Sequence, residues 1–271
     1  MTSIQQINDA ITELGIEGSS VVVHSSLKSF GDLEGGTTGL IEVLKKRFSN
    51  IMMPAFSTTF ITRPPENDHP VQNGCDYEDL EAWKLNAQDP FDFNKVQVDY
   101  RMGKIAQDFA LDVQSIRSRH PWHGWSVSGK NAEEWTSDHP WDQTHLPLEK
   151  LIESEGKVLL MGVDLRACTA IHVVEEKAGR KPFIRWARNE KGEAARIRVS
   201  GCAKGFHYLE PLLGTVVQKV QVGESEWRVV RAQVLIKKAL RLICEKPEMT
   251  LCSCDCRRCQ DAILGGPSFL S

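Results

Sequence analysis

A histidine and a glutamate three residues apart stand in Thr169-Ala170-Ile171-His172-Val173-Val174-Glu175, shortly after the apolar run Lys157-Val158-Leu159-Leu160-Met161-Gly162. With Thr169 as N-cap, His172 falls in the first turn of a helix. There the positive end of the helix dipole opposes a second positive charge and favours neutral imidazole. Neutral imidazole is the form a general base needs near neutral pH. Glu175 shares the same helix face, where a carboxylate can orient the ring or meet a cationic substrate. The spacing alone describes an ordinary exposed helix face equally well, but ligands of α/β folds gather beyond the carboxyl ends of strands, where this helix begins.

Other groupings carry potential chemistry. His24-Ser25-Ser26-Leu27-Lys28-Ser29 leads through Glu34-Gly35-Gly36 to Thr37-Thr38, a strand end entering a helix through a hydroxyl- and glycine-rich loop. Backbone N–H groups at such a place receive phosphate. Neither a P-loop nor a GxGxxG fingerprint is present, and a plain βα turn fits as well. Cys252, Cys254, Cys256 and Cys259 offer four thiols within eight residues, a set able to hold zinc or another soft metal. The alternative is a reduced tail, in keeping with Gly265-Gly266-Pro267-Ser268 nearby. Arg117-Ser118-Arg119-His120-Pro121-Trp122-His123-Gly124-Trp125 is dense in anion-binding and pocket-lining groups, which surface arginines and a core tryptophan also explain. Asp138-His139-Pro140 with His145 lacks a further ligand at metal spacing.

The elements that must position these residues follow from periodicity. Ile4, Ile7, Ile11 and Leu14 predict a helix, Ser20–His24 a strand, and Leu40, Ile41, Val43 and Leu44 a helix capped by Thr37 or Thr38. With the strand Ile51–Pro54 these make a βαβ unit. Between residues 57 and 100 regularity vanishes, with four prolines and nine acids against three bases. So long a loop reads as an ordered lid or substrate loop, given Phe60, Tyr77, Trp83, Phe91 and Phe93. Helices are expected near 101–111, 132, 147–154, 169–178 and 231–244, and strands at 124–129, 157–162, 194–200, 214–222 and 226–231. The fold class is α/β, a mixed central sheet with flanking helices and a long acidic insertion loop. Residues 1–245 form the domain and 246–271 a Cys-rich tail.

A net charge of −3 and a pI near 6.3 argue against nucleic acid or an anionic membrane as partner. No basic, apolar leader and no run long enough to span a bilayer is visible, so a cytoplasmic protein is expected.

Taken in order, Val23-His24-Ser25-Ser26-Leu27 with Glu34-Gly35-Gly36, Met52-Met53-Pro54-Ala55-Phe56-Ser57, Met102-Gly103-Lys104, Arg117-Ser118-Arg119-His120-Pro121, Leu146-Pro147-Leu148-Glu149-Lys150-Leu151 and Leu160-Met161-Gly162-Val163 leading to His172 and Glu175 resemble the aminoglycoside 3-N-acetyltransferase, or antibiotic N-acetyltransferase, family. The resemblance runs from about Val21 to Leu213, and more faintly to residue 244. It implies an acyltransferase of the antibiotic-resistance type, with acetyl-CoA as cosubstrate and a small-molecule amine, an aminoglycoside, as acceptor. His172 would be the base with Glu175 beside it. His24, Ser25, Ser26, Leu27, Ser29, Gly35, Gly36, Met102, Gly103, Lys104, Arg117 and Ser118 would hold coenzyme A. Asp76, Glu78, Asp79, Glu81, His120 and Glu175 would face a polycationic acceptor, and Ser26 and the Gly35–Gly36 amides are candidates to stabilise the oxyanion. Leu165-Arg166 departs from the small polar residues the family carries there and sets a cation beside the base. A different small amine as acceptor, or a non-catalytic CoA- or metal-binding relative, are the alternatives, and homodimerisation is left open.

Overall fold

The computed structural model describes residues 1–79 and 85–263. Its strands are β1 (Ser20–Ser25), β2 (Asn50–Pro54), β3 (Ile61–Thr62), β4 (Ile116–Arg117) and β5 (Trp125–Gly129). They continue with β6 (Lys157–Met161), β7 (Phe183–Arg188), β8 (Ala194–Val199), β9 (Gln218–Val222) and β10 (Ser225–Arg231). Seven of them form a sheet in the order β4-β5-β2-β1-β6-β10-β9. The central strands β2, β1 and β6 run parallel, while β5 and β10 join antiparallel on either side.

Helices cover both faces: α1 (Ile4–Glu13), α2 (Gly36–Arg47), α3 (Lys104–Leu111), α4 (Ala132–Thr136), α5 (Leu146–Glu153), α6 (Ala170–Lys177), α7 (Glu210–Leu213), α8 (Ala232–Glu245) and α9 (Arg257–Ile263). Successive side chains of a strand point to opposite faces, and the apolar runs divide accordingly. Val22, Met52, Val158 and Leu160 pack toward α5, α6 and α8. Val21, Val23, Met53, Leu159 and Met161 pack toward α1, α2 and α3. A sheet covered on both faces needs continuous apolar strands, as seen at 21–23 and 158–161.

A small second sheet, β3-β7-β8, organises much of the long loop. Phe60, Phe91 and Val96 form a buried cluster with Trp141 against it. Asn73 donates to the Ile184 carbonyl at 3.1 Å and accepts from the Ile184 amide at 2.7 Å. Asp68 accepts from Trp186 and pairs with Arg196. Much of the loop's charge and aromatic surface therefore ties it down. Glu81 and Trp83, and residues 265–268 of the tail, lie outside the described residues.

Several local expectations change. The strand β7 was not anticipated. Within 214–222 only Gln218–Val222 is extended, because α7 and a one-turn helix at Gly214–Val216 precede it. Neither threonine caps α2. Gly35, at φ +68, takes the cap position, and Thr37 donates instead to Asp108 at 2.6 Å. Thr169 has helical backbone angles and no capping side-chain bond, although His172 is still the third residue of α6.

Candidate active site

Chain order sends β1 to β2 on one side and later places β6 on the other, so the carboxyl ends of β1 and β6 flank a topological switch point where α/β folds bind ligands. A cleft of about 340 Å³ opens there, lined by His24 and Ser25 at the end of β1, Pro54 at the end of β2 with Phe56 beyond it, and residues between Val163 and His172 after β6.

His172 is buried, 8% exposed, on the cleft wall. Its Nδ1 lies 2.8 Å from Glu175 Oε2. A carboxylate there accepts the Nδ1 proton and leaves the Nε2 lone pair as the ring's available base. The other Glu175 oxygen, Oε1, accepts from the Thr250 hydroxyl at 2.8 Å and from the Arg180 guanidinium. Arg180 also donates to the Pro247 carbonyl. The carboxylate that holds the ring is thus held from two further segments of the chain. Phe206 packs edge-on against His172, with centroids 4.7 Å apart. The ring of His145 lies parallel to it at 6.1 Å.

His145 continues into a file of buried histidines, through His123 at 6.0 Å and His120 at 5.9 Å to His139 at 4.7 Å. Burial drives His120, His123 and His145 well below the usual imidazole range, and holds His139 and His24 near about 4. All five are neutral at physiological pH. Hydrogen bonds fix two tautomers. His120 Nδ1 accepts the backbone N–H groups of Trp122 and His123 at 3.1 and 2.9 Å. His139 Nε2 faces the Thr144 carbonyl at 3.2 Å, while Ser118, which accepts the Trp125 amide, faces His139 Nδ1 at 2.9 Å.

The cleft has two outward continuations. Through Val163, Arg166 and Ala167 it meets a groove of about 670 Å³ lined by Ser26, Ser29, Gly162 and Arg228. Through Arg101, Trp122 and Arg258 it meets a second opening of about 560 Å³ bordered by Asp76, Arg185 and Arg257. Gly162, at φ +67, lies so close to Ser29 that an added Cβ would stand 1.8 Å from its Oγ. Among the described residues no carboxylate lines the cleft itself, whereas Arg101, Arg166 and Arg258 do. Arg101 and Arg166 are paired with Asp99 and Asp164 at 2.6 and 2.7 Å.

The expected site residues divide sharply. His24, Ser25, Met102 and His172 line the cleft, and Ser26 and Ser29 line the first groove. Gly103, at φ +85, abuts the Ser25 carbonyl. Leu27 packs into the core beside α2 and α3. Gly35 and Gly36 form the start of α2 and line none of the three openings. Lys104 pairs with Asp108 at 2.6 Å on the surface. Arg117 donates to the Val96 carbonyl at 2.9 Å, and burial lowers its pKa. With Ser118 and His120, it serves the packing rather than the cleft.

The acidic wall is also rearranged. Asp76 borders the second opening but faces Arg257 at 3.4 Å, while Glu78 and Asp79 are exposed away from the cleft. Glu175 has both oxygens engaged inside the protein, so its expected contact with a substrate cation gives way to the hold on His172. Trp122 and His123 were flagged by their dense cluster. Arg258 and Thr250 carried no signal, since only the fold returns their segment to the cleft. Cys168 lines the cleft, but burial pushes its thiol up to about 12, unsuited to nucleophilic work.

The expected metal set changes membership. The sulfurs of Cys202, Cys252, Cys256 and Cys259 lie within 4.8 Å of one another. Cys254 is exposed and outside that group, its sulfur 2.8 Å from that of Cys252. One intervening residue is shorter than the two to four that bring paired cysteines around one ion.

The family model described as aminoglycoside 3-N-acetyltransferase matches residues 22–243. The chain belongs to this family. Aminoglycoside N(3)-acetyltransferase IX of Micromonospora chalcea is 30% identical over 184 residues, covering 64% of this chain and 61% of that protein. The aligned stretch thus spans about three fifths of that relative. Over almost the whole chain the fold matches the aminoglycoside acetyltransferase AAC(3)-IVa apoenzyme, with a TM-score of 0.75, 23% identity and coverage of 97% and 98%. It also matches AAC-IIIb solved as a binary complex with CoASH, with a TM-score of 0.72, 19% identity and coverage of 90% and 98%. The family's α/β architecture, with its mixed central sheet, is that of this chain. No helix among the described residues is long and apolar enough to cross a membrane.

Proposed function

We propose that this chain transfers an acetyl group from acetyl-CoA to an amine, with His172 as the general base. The observation that carries the reading is the His172–Glu175 pair at the meeting point of two openings, one for each substrate. Bound acetyl-CoA would supply an activated thioester. The groove leading past Ser26, Ser29 and Val163 fits an extended arm, with hydroxyls and the Gly162 backbone along it and the neutral His24 in the adjoining cleft.

His172 Nε2 accepts the proton lost by the amine as its nitrogen bonds to the carbonyl carbon, and returns it to the sulfur as the carbon–sulfur bond breaks. Glu175 balances the imidazolium in between, and Arg180 and Thr250 keep the carboxylate from rotating away. No cysteine nucleophile is needed.

The named activity of the relatives supports an aminoglycoside as acceptor. A second reading has its own observation. The cleft and its second opening carry five arginines, Arg101, Arg166, Arg185, Arg257 and Arg258, against three aspartates, with Asp99, Asp164 and Asp76 paired to Arg101, Arg166 and Arg257. Such a wall favours an amine that also bears a carboxylate or phosphate. The test measures thiol release from acetyl-CoA with a panel of aminoglycosides and a panel of anionic amines. His172→Ala should lower turnover by ~10²–10⁴ with whichever panel is used. Release confined to anionic amines rejects the aminoglycoside acceptor. No release with any amine, despite acetyl-CoA binding, rejects the transferase reading.

A further inference from the structure

We propose that Cys202, Cys252, Cys256 and Cys259 form a structural zinc site that fastens the segment 247–262 to the loop following β8. All eight cysteines are unpaired, yet these four sulfurs converge from two stretches of chain fifty residues apart. A zinc ion bonded to four thiolates at about 2.3 Å sets the sulfurs about 3.8 Å apart by tetrahedral geometry. The observed mutual limit of 4.8 Å, with Cys252 and Cys259 at 3.4 Å, is within small side-chain adjustments of that arrangement.

The backbone is already shaped for it. The Cys259 and Gln260 amides both donate to the Cys256 carbonyl, at 2.9 and 3.0 Å, folding Cys256-x-x-Cys259 into a tight turn. The Cys252 amide donates to Cys259 Sγ at 3.4 Å. N–H groups directed at a metal-bound sulfur are the outer support such sites use. Four thiolates around a dication leave a net charge of −2, beside the cationic Arg257 and Arg258 of the same turn. The all-sulfur donor set selects a soft or borderline ion over calcium or magnesium. Four closed ligands with no open position mark a structural rather than a catalytic site.

The closure has a mechanical role. At Gly205 the two segments touch so closely that an added Cβ would stand 2.3 Å from the Thr250 carbonyl oxygen and 2.4 Å from that of Leu251. Thr250 reaches Glu175, and Arg258 lines the cleft.

The experiment measures metal content of the full-length protein, purified without chelator, for wild type and for Cys202→Ser, Cys259→Ser and Cys254→Ser. Wild type and Cys254→Ser should carry one zinc per chain, and the other two variants should lose it on dialysis. Should those two fail to fold, wild type alone decides. Chelated and titrated with Co²⁺, it should develop the thiolate-to-cobalt charge-transfer and tetrahedral d–d bands of a four-sulfur site. Wild type without zinc and without those bands overturns the proposal. So does zinc that survives Cys202→Ser but is lost from Cys254→Ser.

Discussion

Replacing Glu175 by Gln tests whether the carboxylate acts on His172 or only on the fold. The change keeps the shape and removes the charge. Glu175 and Arg180 have side chains 9% and 11% exposed, and removing one partner of a buried pair costs about 3–5 kcal/mol. Arg180 keeps its bonds to Thr250 and the Pro247 carbonyl, so the loss should lie near the lower end, about 3 kcal/mol, or on the order of 6–12 °C in Tm. The catalytic effect is separate. A glutamine can present its NH₂ to Nδ1 and reverse the tautomer, placing a proton on the nitrogen that should accept one, and it cannot balance an imidazolium. Turnover should fall by ~10²–10⁴. Arg180→Met is the control, since it breaks the same ion pair but leaves the carboxylate on the ring. It should destabilise comparably and retain turnover within about tenfold, one such factor being worth about 1.4 kcal/mol of barrier. Thermal unfolding and thiol-release kinetics over a pH series read both effects. If Glu175→Gln keeps near wild-type turnover across that series while Tm falls, the carboxylate is a fold-stabilising ion only. Equal catalytic losses in both variants would place the effect in the tail's attachment instead.

Three further outcomes are expected. His24 and His139, held near about 4 by burial, protonate near 6.5 once unfolded, so between those values the unfolded chain binds more protons and stability is lost as pH falls. Each contributes up to ~3 kcal/mol, and a Tm unchanged from pH 7 to 4.5 would contradict their burial. Arg258→Gln should raise KM for an anionic amine about 10- to 100-fold through loss of a charge-assisted contact, with KM for acetyl-CoA unchanged; the reverse pattern would assign this arginine to the donor. Gly162→Ala imposes left-handed backbone on a residue with a Cβ, at about 1–2 kcal/mol, and displaces Ser29. It should raise KM for acetyl-CoA more than for the amine, and equal changes would remove the donor from that groove.

Local patterns carried the central sheet and the His172–Glu175 pair. Val21–Val23, Ile51–Met53 and Val158–Met161 are apolar runs whose burial needs no distant information, and a histidine and glutamate three apart meet on any helix. The strand β7 was hidden because Arg185 interrupts its apolar run. Its guanidinium is buried, donating to the carbonyls of Asn73, Gly74 and Ile184, and Asn73 and Gly74, more than a hundred residues away, leave no trace in a local window. The tail's contribution was hidden for the same reason. Thr250 and Arg258 sit in a stretch without periodicity, and Cys202 was passed over because its three companions lie fifty residues on. Arg117, Ser118 and His120 misled in the opposite sense. Polar side chains dense enough to line a pocket also serve to satisfy a buried turn.

The bond from Thr250 to Glu175 joins the helix of the pair to a segment seventy-five residues further along the chain. The matching family model ends at residue 243, so this support of the carboxylate comes from residues outside the stretch that model describes. A substitution at Thr250 would change how firmly that carboxylate is clamped, so residues 247–250 give remote leverage on the His172–Glu175 pair with the pair itself left unchanged.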